Sequence, residues 1–585
     1  MPKGAPILIG GPPSLDLAAA ALASIRTRFV SDPLHALVSR LKPSRMRNLL
    51  HRTVCFFTGH PVDVACGKVM TECVDAELPG PLPLKIERIY SSAFAARKGP
   101  LGHGWSSSLH QAIWRERGKV VLLAEDGREI EFDTFDFPEH RIAAGQSVYN
   151  PIERLTLHCD PGEVWRVVDA EGVVRQFGPV PGRDDEIAVL YRIRSRCGFH
   201  EIGFVYDDHG QLIWVRDSCG RMIGLGHDIR GRLSSLHLPR PQGEGHYCHR
   251  RYVYDDEGDL VEVVDALGER WRFAYVTHLL TQETDRNGLS FYFAYDGLGE
   301  DAWCVRTWGD GGIYDHVLSY DKHNRATWVT DSLGHTTQYR MNLIGMVVET
   351  SDPLGGTVVR EYDPHTLQET VVVDAVGGRT VRRHDAWGNL LEVVAPDGGV
   401  TSMTYSGYDR VSLRDARGGE WRWLHDAGGH LIEATSPAGR QTRWSWNAGL
   451  LVGVERGGQA TVLHYDASKR LRETTVADGS THYHHDRLGR LVAIQHPNGG
   501  VFQLAHDLEG RLVASRNAVG DEQRIVYDPE GNIVEVRDAH RRLELSYTQY
   551  HQLAARVIGG TARASATTRR ADCSSSRTKP ASASA

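Results

Sequence analysis

The sequence lacks a hydrophobic run long enough to cross a membrane. The apolar stretch near its start, LDLAAAALASI, covers only residues 15–25, whereas a membrane-spanning helix needs about 20 residues. The stretch is preceded by GGPP at residues 10–13, unlike the charged segment that opens a secretory signal peptide. We therefore predict no membrane span and no Sec-dependent export.

The sequence also lacks the cysteine pattern of a disulfide-stabilised protein. It has nine cysteines, an odd number, and no C-x-x-C pair. A secreted disulfide framework normally has an even number of cysteines at regular spacing. This pattern predicts that the chain folds in a reducing compartment.

Basic residues are scarce in the middle of the chain. Residues 1–60 carry about +6 and residues 556–585 about +5, so that residues 61–555 carry about −18 of the net charge of −7. Binding to nucleic-acid phosphates requires a basic surface. The charge therefore argues against nucleic acid as a partner, although the sequence does not tell which face of the folded chain carries it.

Glycine, in contrast, is abundant, with 61 residues, and it recurs in a repeated phrase. His485-Asp486-x-x-Gly489-x-Leu491 returns 21 residues later as His506-Asp507-x-x-Gly510-x-Leu512. The same phrase with tyrosine first occurs at Tyr206-Asp207, Tyr254-Asp255, Tyr295-Asp296 and Tyr527-Asp528. Roughly sixteen such repeats fill residues 200–547.

A second Asp-x-x-Gly series lies midway between these phrases, as at Asp265–Gly268 and Asp331–Gly334. An aspartate that opens a turn accepts a hydrogen bond from the backbone two residues on, and the glycine accepts the left-handed conformation that follows. The chain is therefore predicted to reverse every 10 or 11 residues.

The segments between these turns have about six residues and are rich in Val, Leu, Tyr and Trp, a length typical of strands and too short for stable helices. One repeat is then a β-hairpin. Because a lone hairpin is marginally stable, successive hairpins must pair with one another. The predicted fold is all-β, with tandem hairpins that form one long sheet over residues 201–550.

Three further regions flank this array. Residues 59–200 are predicted to be a β-rich N-terminal domain, because residues 83–90 alternate in polarity and KVVLL at 119–123 is typical of a buried strand. Residues 1–58 are predicted to be an N-terminal lead with one or two helices within 14–52. Residues 551–585 end in a Ser/Ala/Thr/Arg tract and are predicted to be disordered.

The tandem Tyr-Asp-x-x-Gly-x-Leu array resembles the YD repeats of the Rhs family. Upstream, GHPVDVACG at 59–67, RIYSS at 88–92 and GPLGHGW at 99–105 look like the domain that opens bacterial Rhs proteins, and ILIGGPP at 7–13 is similar to the tail of a PAAR spike module. The resemblance implies a spiralling sheet that forms a cocoon-like shell around a C-terminal toxin. It also implies passage from the bacterial cytoplasm through type VI or related secretion, with spike proteins of the VgrG or PAAR type as partners.

The resemblance has one departure. Rhs shells usually end in a plug motif with paired aromatic residues and an Asp-dependent self-cleavage site ahead of the toxin, and no such motif follows Tyr550. The chain therefore looks like a truncated or frameshifted member whose toxin is missing.

We considered several groups of residues as sites of chemistry. His482, His484 and His485-Asp486 offer metal ligands on a strand, and His246, Cys248 and His249 offer them in a loop where the repeat spacing stretches to 27 residues. Ser106–Ser108 lack a nucleophile elbow, and the repeat aspartates are explained by turn geometry. The sequence therefore predicts no catalytic, cofactor-binding or metal-binding residue and no enzyme activity.

Two functions remain open on the sequence. The first is a non-catalytic shell that carries a toxin in competition between bacteria. The second is a cell-surface carbohydrate-binding or adhesion protein, for which Trp421, Trp423, Trp444 and Trp446 could form a sugar-stacking platform.

Overall fold

A computed structural model describes residues 62–162, 164–180, 186–548 and 551–559 of the chain, and the backbone of 561–564. The predicted N-terminal lead and most of the predicted tail lie outside these residues. Within the described residues, the only helical segments are the short 3-10 turns Ser92–Phe94, Pro138–His140 and Asp310–Gly312. The prediction of an all-β fold is confirmed.

A small sheet, called here the N-terminal sheet, opens the described chain. Its three antiparallel strands are β1 (Met70–Leu78), β2 (Leu84–Ser91) and β5 (Trp105–Ser107), with β2 in the centre. The segment between β2 and β5 contains the short hairpin of β3 (Lys98–Gly99) and β4 (Gly102–His103). Most of β2 is buried on both faces, which indicates that the N-terminal sheet packs inside the molecule.

The remaining strands form one antiparallel sheet, called here the wall. Its first strands are β6 (Ala112–Glu116), β7 (Lys119–Leu123), β8 (Glu129–Asp133), β9 (Ser147–Asn150), β10 (Leu155–Asp160), β11 (Val164–Val168), β12 (Val174–Pro179) and β13 (Ala188–Arg194). Strand β6 pairs with the start of β13, and β14 (Glu201–Tyr206) pairs with its end. The sheet therefore runs without interruption through residue 200, where the predicted N-terminal domain meets the predicted repeat array.

From β9 onward each strand pairs with the next in the chain. The strands of the first half of this run are β15 (Leu212–Arg216), β16 (Met222–His227), β17 (Leu233–Pro239), β18 (His246–Tyr254), β19 (Leu260–Val264), β20 (Arg270–Val276), β21 (Leu279–Thr284), β22 (Ser290–Tyr295), β23 (Cys304–Gly309), β24 (His316–Asp321), β25 (Ala326–Thr330), β26 (Thr336–Met341), β27 (Val347–Ser351), β28 (Thr357–Tyr362), β29 (Glu369–Val373) and β30 (Arg379–His384).

The strands of the second half are β31 (Leu390–Val394), β32 (Val400–Ser406), β33 (Asp409–Arg414), β34 (Glu420–His425), β35 (Leu431–Thr435), β36 (Gln441–Asn447), β37 (Leu450–Arg456), β38 (Gln459–Tyr465), β39 (Leu471–Val476), β40 (Gly479–His485), β41 (Leu491–Gln495), β42 (Val501–His506), β43 (Leu512–Arg516), β44 (Glu522–Tyr527), β45 (Ile533–Arg537), β46 (Arg542–Tyr547), β47 (Leu553–Ile558) and β48 (Thr561–Ala564). The last two lie where the sequence predicted a disordered tail. The disordered tail is therefore predicted to start too early. Strand β47, which has apolar residues, pairs with β46, and β48 pairs with β47, so the sheet continues into this region.

The Asp-x-x-Gly turns have the geometry that the sequence predicts. At Asp507, the side-chain oxygen Oδ1 accepts a hydrogen bond of 2.9 Å from the backbone N–H of Arg511. The backbone N–H of Gly510 donates to the carbonyl of Asp507 over 3.1 Å, and Gly510 has φ +83°. Only glycine adopts this φ without strain, which explains why the phrase keeps this residue.

A β-bulge precedes the tyrosine position in most of the YD hairpins. The strand register shifts between Val526 and Tyr527, and between Glu361 and Tyr362. The alternate hairpin β43–β44 pairs without such a shift. Because a bulge bends a strand and increases its twist, one bulge per repeat curves the sheet steadily in one direction.

The tyrosine of the phrase ties each repeat to the one before it. The hydroxyl of Tyr527 donates a hydrogen bond of 2.8 Å to the carbonyl of Leu512, fifteen residues earlier. The backbone pairing of β43 with β44 does not reach Leu512. The hydroxyl of Tyr527 therefore bonds the Leu512 carbonyl at the point where the two strands separate. The same bond is made by Tyr206, Tyr275, Tyr295, Tyr362, Tyr465 and Tyr547, and by the indole of Trp446. Where histidine replaces tyrosine, as at His506, its buried Nδ1 has no partner in the described part of the chain.

We expect Tyr527→Phe to lower the stability of the wall by about 0.5–1.5 kcal/mol, because it removes one hydrogen bond and leaves the ring in place. His506→Tyr should raise stability, since it supplies the missing hydroxyl. The melting temperatures of both variants check this, with His506→Phe as the control that adds a ring without a hydroxyl. Equal melting temperatures for His506→Tyr and His506→Phe would contradict the assigned role of the hydroxyl.

The curved wall winds over itself. Side chains far apart in the sequence meet where the edge of one turn of the sheet lies on the edge of the next, along a line called here the seam. The separation is 213 residues for Arg196 and Asp409, 259 for Arg250 and Glu509, and 270 for Lys469 and Phe199. The wall is therefore a spiral. Tyr149 and Arg154, near its start, contact the carbonyl of Trp387, so residues before Trp387 form the first turn and the later described residues form the second.

Candidate functional site

One face of the wall, called here the inner face, contacts the N-terminal sheet. The indole N–H of Trp105 lies 2.9 Å from the hydroxyl of Tyr275, and the hydroxyl of Tyr252 donates to the Asp75 carboxylate over 2.8 Å. The tyrosines of the YD phrase and the residues opposite them lie on this face, because paired residues in a sheet share a side. In the first turn, the N-terminal sheet therefore buries the inner face as far as β27.

In the second turn the inner face is apolar and only half-buried. Within residues 404–524, all of which the structure describes, Leu488 is the single fully buried hydrophobic side chain. Inner-face residues of this stretch are half-exposed; they include Trp423, Trp446, Tyr483, Ile494 and Leu504. A continuous apolar surface of this kind is typical of a surface that binds another polypeptide.

The charged residues of the second turn lie mainly on the opposite, outer face. Arg422 pairs with Glu420 at 2.8 Å, and Arg443 pairs with Glu433 at 3.1 Å, with both arginines more than half exposed. Such exposed pairs add little stability but keep the surface soluble. The inner face of the second turn therefore carries few charged residues.

A buried network of charged residues joins the N-terminal sheet and both turns of the wall. Arg250 of the first turn forms two hydrogen bonds, of 2.7 and 2.8 Å, with the carboxylate of Glu509 in the second turn. The Nε of Arg250 lies 3.7 Å from the carboxylate of Asp75 in β1. Burial would raise the pKa of Glu509, but the hydrogen bonds and charge of Arg250 outweigh it and hold that pKa below its usual value.

His249 adds a group sensitive to pH to this network. Its Nε2 lies 3.0 Å from the carbonyl of Asp75, and its Nδ1 lies 3.8 Å from the Glu509 carboxylate. Burial, and then the charge of Arg250, lower the pKa of His249 to about 3. His249 is therefore neutral in the folded protein at pH 7.

We expect His249 to make the folded state less stable as the pH falls. The unfolded histidine takes up a proton near pH 6.5, whereas folded His249 does so only near pH 3, so stability is lost progressively as the pH drops through this window. The melting temperature should fall between pH 7 and pH 5, and less steeply in His249→Gln. An equal slope in the variant would contradict this assignment.

The predicted loop candidates His246, Cys248 and His249 do not form one site. They lie on strand β18, where successive side chains point to opposite faces. His246 contacts the carbonyl of Met222, and exposed Cys248 bonds the carbonyl of Arg250, while buried His249 faces the N-terminal sheet. The strand alternation of HYCHRRYVY could have revealed this from the sequence.

The other sequence candidates are also accounted for by local structure. His482 and His484 share the outer face, where the Nδ1 of His482 lies 3.9 Å from Glu473. Ser108 bonds the backbone of Lys85 and Glu87. The carboxylates of the turn aspartates accept hydrogen bonds from backbone N–H groups two and four residues later, as at Asp486. The seven described cysteines are free thiols.

The four tryptophans of the possible sugar platform lie on the inner face and pack within the wall. The indole N–H of Trp446 donates to the carbonyl of Leu431 over 2.9 Å, and its ring stacks on His430. The guanidinium of Arg410 covers the ring of Trp423 at 4.5 Å. These rings therefore take part in joining neighbouring hairpins.

Comparison with known protein families finds two matches. The family described as RHS Repeat matches residues 254–290, 384–420 and 465–501. A family described as a domain of unknown function, DUF6531, matches residues 59–132, which contain the N-terminal sheet and β6 to β8. Among the described residues, no helix is long and apolar enough to span a bilayer.

Curated relatives are named as toxins and nucleases. The chain is 28% identical over 384 residues to toxin protein Tse5 of Pseudomonas aeruginosa, covering 58% of this chain and 28% of Tse5. It is 28% identical over 484 residues to the probable deoxyribonuclease RhsB of Dickeya dadantii, covering 77% of this chain and 31% of RhsB. The match with double-stranded DNA deaminase toxin A of Burkholderia cenocepacia has 26% identity and covers 48% and 19%. The chain thus spans less than a third of each of these relatives.

Among solved structures, the Photorhabdus luminescens Tc holotoxin pore matches with a TM-score of 0.45 and 12% identity. The match covers 84% of this chain and 30% of that chain.

Proposed function

Since this chain belongs to the Rhs family of YD-repeat proteins, we propose that it is the wall of a shell that holds and carries a toxin polypeptide in competition between bacteria. The half-exposed apolar inner face of the second turn is the observation that carries this proposal. Among the described residues, the N-terminal sheet fills the inner face of the first turn as far as β27, while the inner face of the second turn stays half-buried and would receive the cargo.

The two faces of the wall suit this role. An incompletely folded polypeptide exposes apolar side chains, which would bury surface against the tryptophan, tyrosine and leucine side chains of the inner face. The ion-paired outer face keeps the loaded shell soluble. The wall would bind cargo polypeptides of different sequences, because the inner face offers a large apolar area and few specific polar partners.

In this proposal the chain has no catalytic role of its own. The toxic activity belongs to the enclosed polypeptide, and a secretion spike of the VgrG or PAAR type exports the loaded shell from the bacterial cytoplasm. Expression of this chain in a bacterium without an immunity protein should leave growth unchanged. Toxicity of the chain alone would overturn the non-catalytic role.

The glycan-binding alternative has less support. A sugar platform needs aromatic rings with free faces, and one face of Trp423 and one face of Trp446 are occupied by Arg410 and His430. Retention of the intact protein on a glycan array, lost on substitution of these tryptophans, would favour that alternative.

Protection of an attached polypeptide from protease tests the shell. An unstructured polypeptide fused after the last residue should be cleaved by trypsin several-fold more slowly than the same polypeptide alone. Trp423→Lys with Leu504→Lys, on the inner face, should abolish the protection. The adjacent outward substitutions Leu424→Lys with Ala505→Lys are the matched control and should retain it. Equal cleavage in all forms would contradict the proposal.

A further inference from the structure

A turn at the edge of the first spiral turn brings together residues that are typical metal ligands. Glu257 and Asp259 lie in the turn YDDEGDL between β18 and β19, and His278 lies in the turn between β20 and β21. One side-chain donor atom from each of the three lies within 4.8 Å of the others. The Nδ1 of His278 lies 2.9 and 3.0 Å from the two carboxylate oxygens of Asp259.

This turn differs from several of its sibling turns in the charge of the residue after the glycine. In four siblings the residue after the glycine is an arginine whose Nε lies 2.5–2.8 Å from the carboxylate of the turn aspartate; these arginines are Arg221, Arg232, Arg490 and Arg511. Here that position is Asp259, which is 1% exposed. A buried carboxylate requires a compensating positive charge. In those four turns an arginine supplies it to the turn aspartate, whereas here the same position holds a second acid.

A buried histidine of the N-terminal sheet region borders the same turn. His103 is 5% exposed, its ring stacks on His278 at 3.7 Å, and its Nδ1 lies 3.2 Å from the carbonyl of Ala95. Its Nε2 makes no hydrogen bond to the described residues. It lies 3.8 Å from the point where a Cβ would stand on Gly258, the residue between Glu257 and Asp259. A backbone carbonyl bonded to one ring nitrogen orients many metal-ligating histidines so that the other nitrogen carries the lone pair.

We propose that Glu257, Asp259 and His278 bind a divalent transition metal of the zinc class, with His103 as the fourth ligand after a small rotation of its ring. Imidazole and carboxylate donors in a set of four suit zinc, whereas calcium and magnesium prefer oxygen donors alone. The distance between Nδ1 of His278 and the Asp259 oxygens is close to the ~3.3 Å that separates two ligands of tetrahedral zinc. Binding requires both histidines to be neutral, so that any proton on them is released to solvent.

Such a metal would join the N-terminal sheet to the wall. His103 belongs to strand β4, and the other three ligands belong to the first spiral turn. The metal would therefore hold the N-terminal sheet against the wall, whatever the shell encloses. This inference does not rest on the proposed cargo.

Titration of chelator-treated protein with zinc chloride tests the site. We expect one tightly bound zinc per chain by calorimetry and by metal analysis after desalting, a rise in melting temperature with zinc, and visible absorption with cobalt typical of tetrahedral coordination. Asp259→Asn and His278→Gln should abolish stoichiometric binding, and His103→Gln should weaken it at least tenfold.

The matched control is His335→Gln, which removes a histidine that lies 3.2 Å from the Asp331 carboxylate in another turn. It should bind zinc as the unsubstituted chain does. Because Asp259→Asn retains every cysteine, equal binding by this variant would assign the zinc to thiols and overturn the proposal, as would no stoichiometric binding by the unsubstituted chain. Circular dichroism of each variant shows whether the β-structure is retained.

Discussion

Replacing Glu509 with glutamine should open the seam between the two turns of the wall. The carboxylate of Glu509 is the partner of buried Arg250, through two hydrogen bonds of 2.7 and 2.8 Å, and also accepts the backbone N–H of Ala266. Removing one partner of a buried ion pair leaves the other charge uncompensated, which costs about 3–5 kcal/mol. We expect the free energy of local opening at the seam to fall by this amount.

Native-state hydrogen exchange measures this opening directly, because it reports local unfolding in a protein too large to unfold in one step. Amides of β18 and β42 should exchange faster in Glu509→Gln. The control is Glu522→Gln, which breaks an exposed pair with Arg524 and should cost about 0–1 kcal/mol. Similar effects of the two substitutions would show that Arg250 and Glu509 do not hold the seam.

Replacing both members of the pair separates charge from packing. In Arg250→Met with Glu509→Leu, no buried charge remains uncompensated, and such replacements are often close to neutral. We therefore expect the double variant to be more stable than Glu509→Gln alone. This comparison distinguishes a pair that stabilises the seam from one that only specifies which repeats meet there.

The sequence predicts the hairpins well because their causes are local. An aspartate, a glycine three residues later and six apolar or alternating residues determine a turn and a strand within one repeat, as Asp507 and Gly510 illustrate. The pairing of Arg511 with Asp507 inside one turn is similarly local. Long-range pairs are different: Arg250 meets Glu509 only because the twist and bulges of about a dozen hairpins add up to one full turn of the spiral.

The faces of the wall show a second limit. Alternation along β36 separates Trp444 and Trp446 from Arg443, but it does not say which side is inward, because that depends on where the N-terminal sheet packs. The same limit applies to the extent of the sheet: β9 to β13 lack the YD phrase and yet pair into the same sheet as the repeats. For the Glu257, Asp259 and His278 group, the sequence offers only an acid, Asp259, at a position where four sibling turns have arginine, and the approach of His278 depends on the pairing of neighbouring hairpins.

Truncating Trp105 to alanine should detach the N-terminal sheet from the wall. The Trp105 side chain is 2% exposed and packs against Phe273 of the wall at 5.3 Å and Tyr90 of its own sheet at 5.5 Å. Its indole N–H bonds the hydroxyl of Tyr275, and the guanidinium of fully buried Arg88 lies over its ring at 5.5 Å.

Loss of a buried tryptophan costs about 3–5 kcal/mol because it leaves a cavity, and here it also exposes one side of a buried arginine. We expect faster hydrogen exchange across β1 and β2 and a lower melting temperature, while the second turn of the wall keeps its exchange rates. Trp105→Phe should have a smaller effect, since it keeps a ring beside Arg88. Trp114→Ala is the matched control, because that half-exposed indole bonds only Glu116 on its own strand. If Trp105→Ala and Trp114→Ala destabilised the protein equally, the N-terminal sheet would not be anchored through Trp105. Other contacts, such as the buried Asp75 and Arg250 network and the hydroxyl of Tyr90 with His278, would then have to hold it.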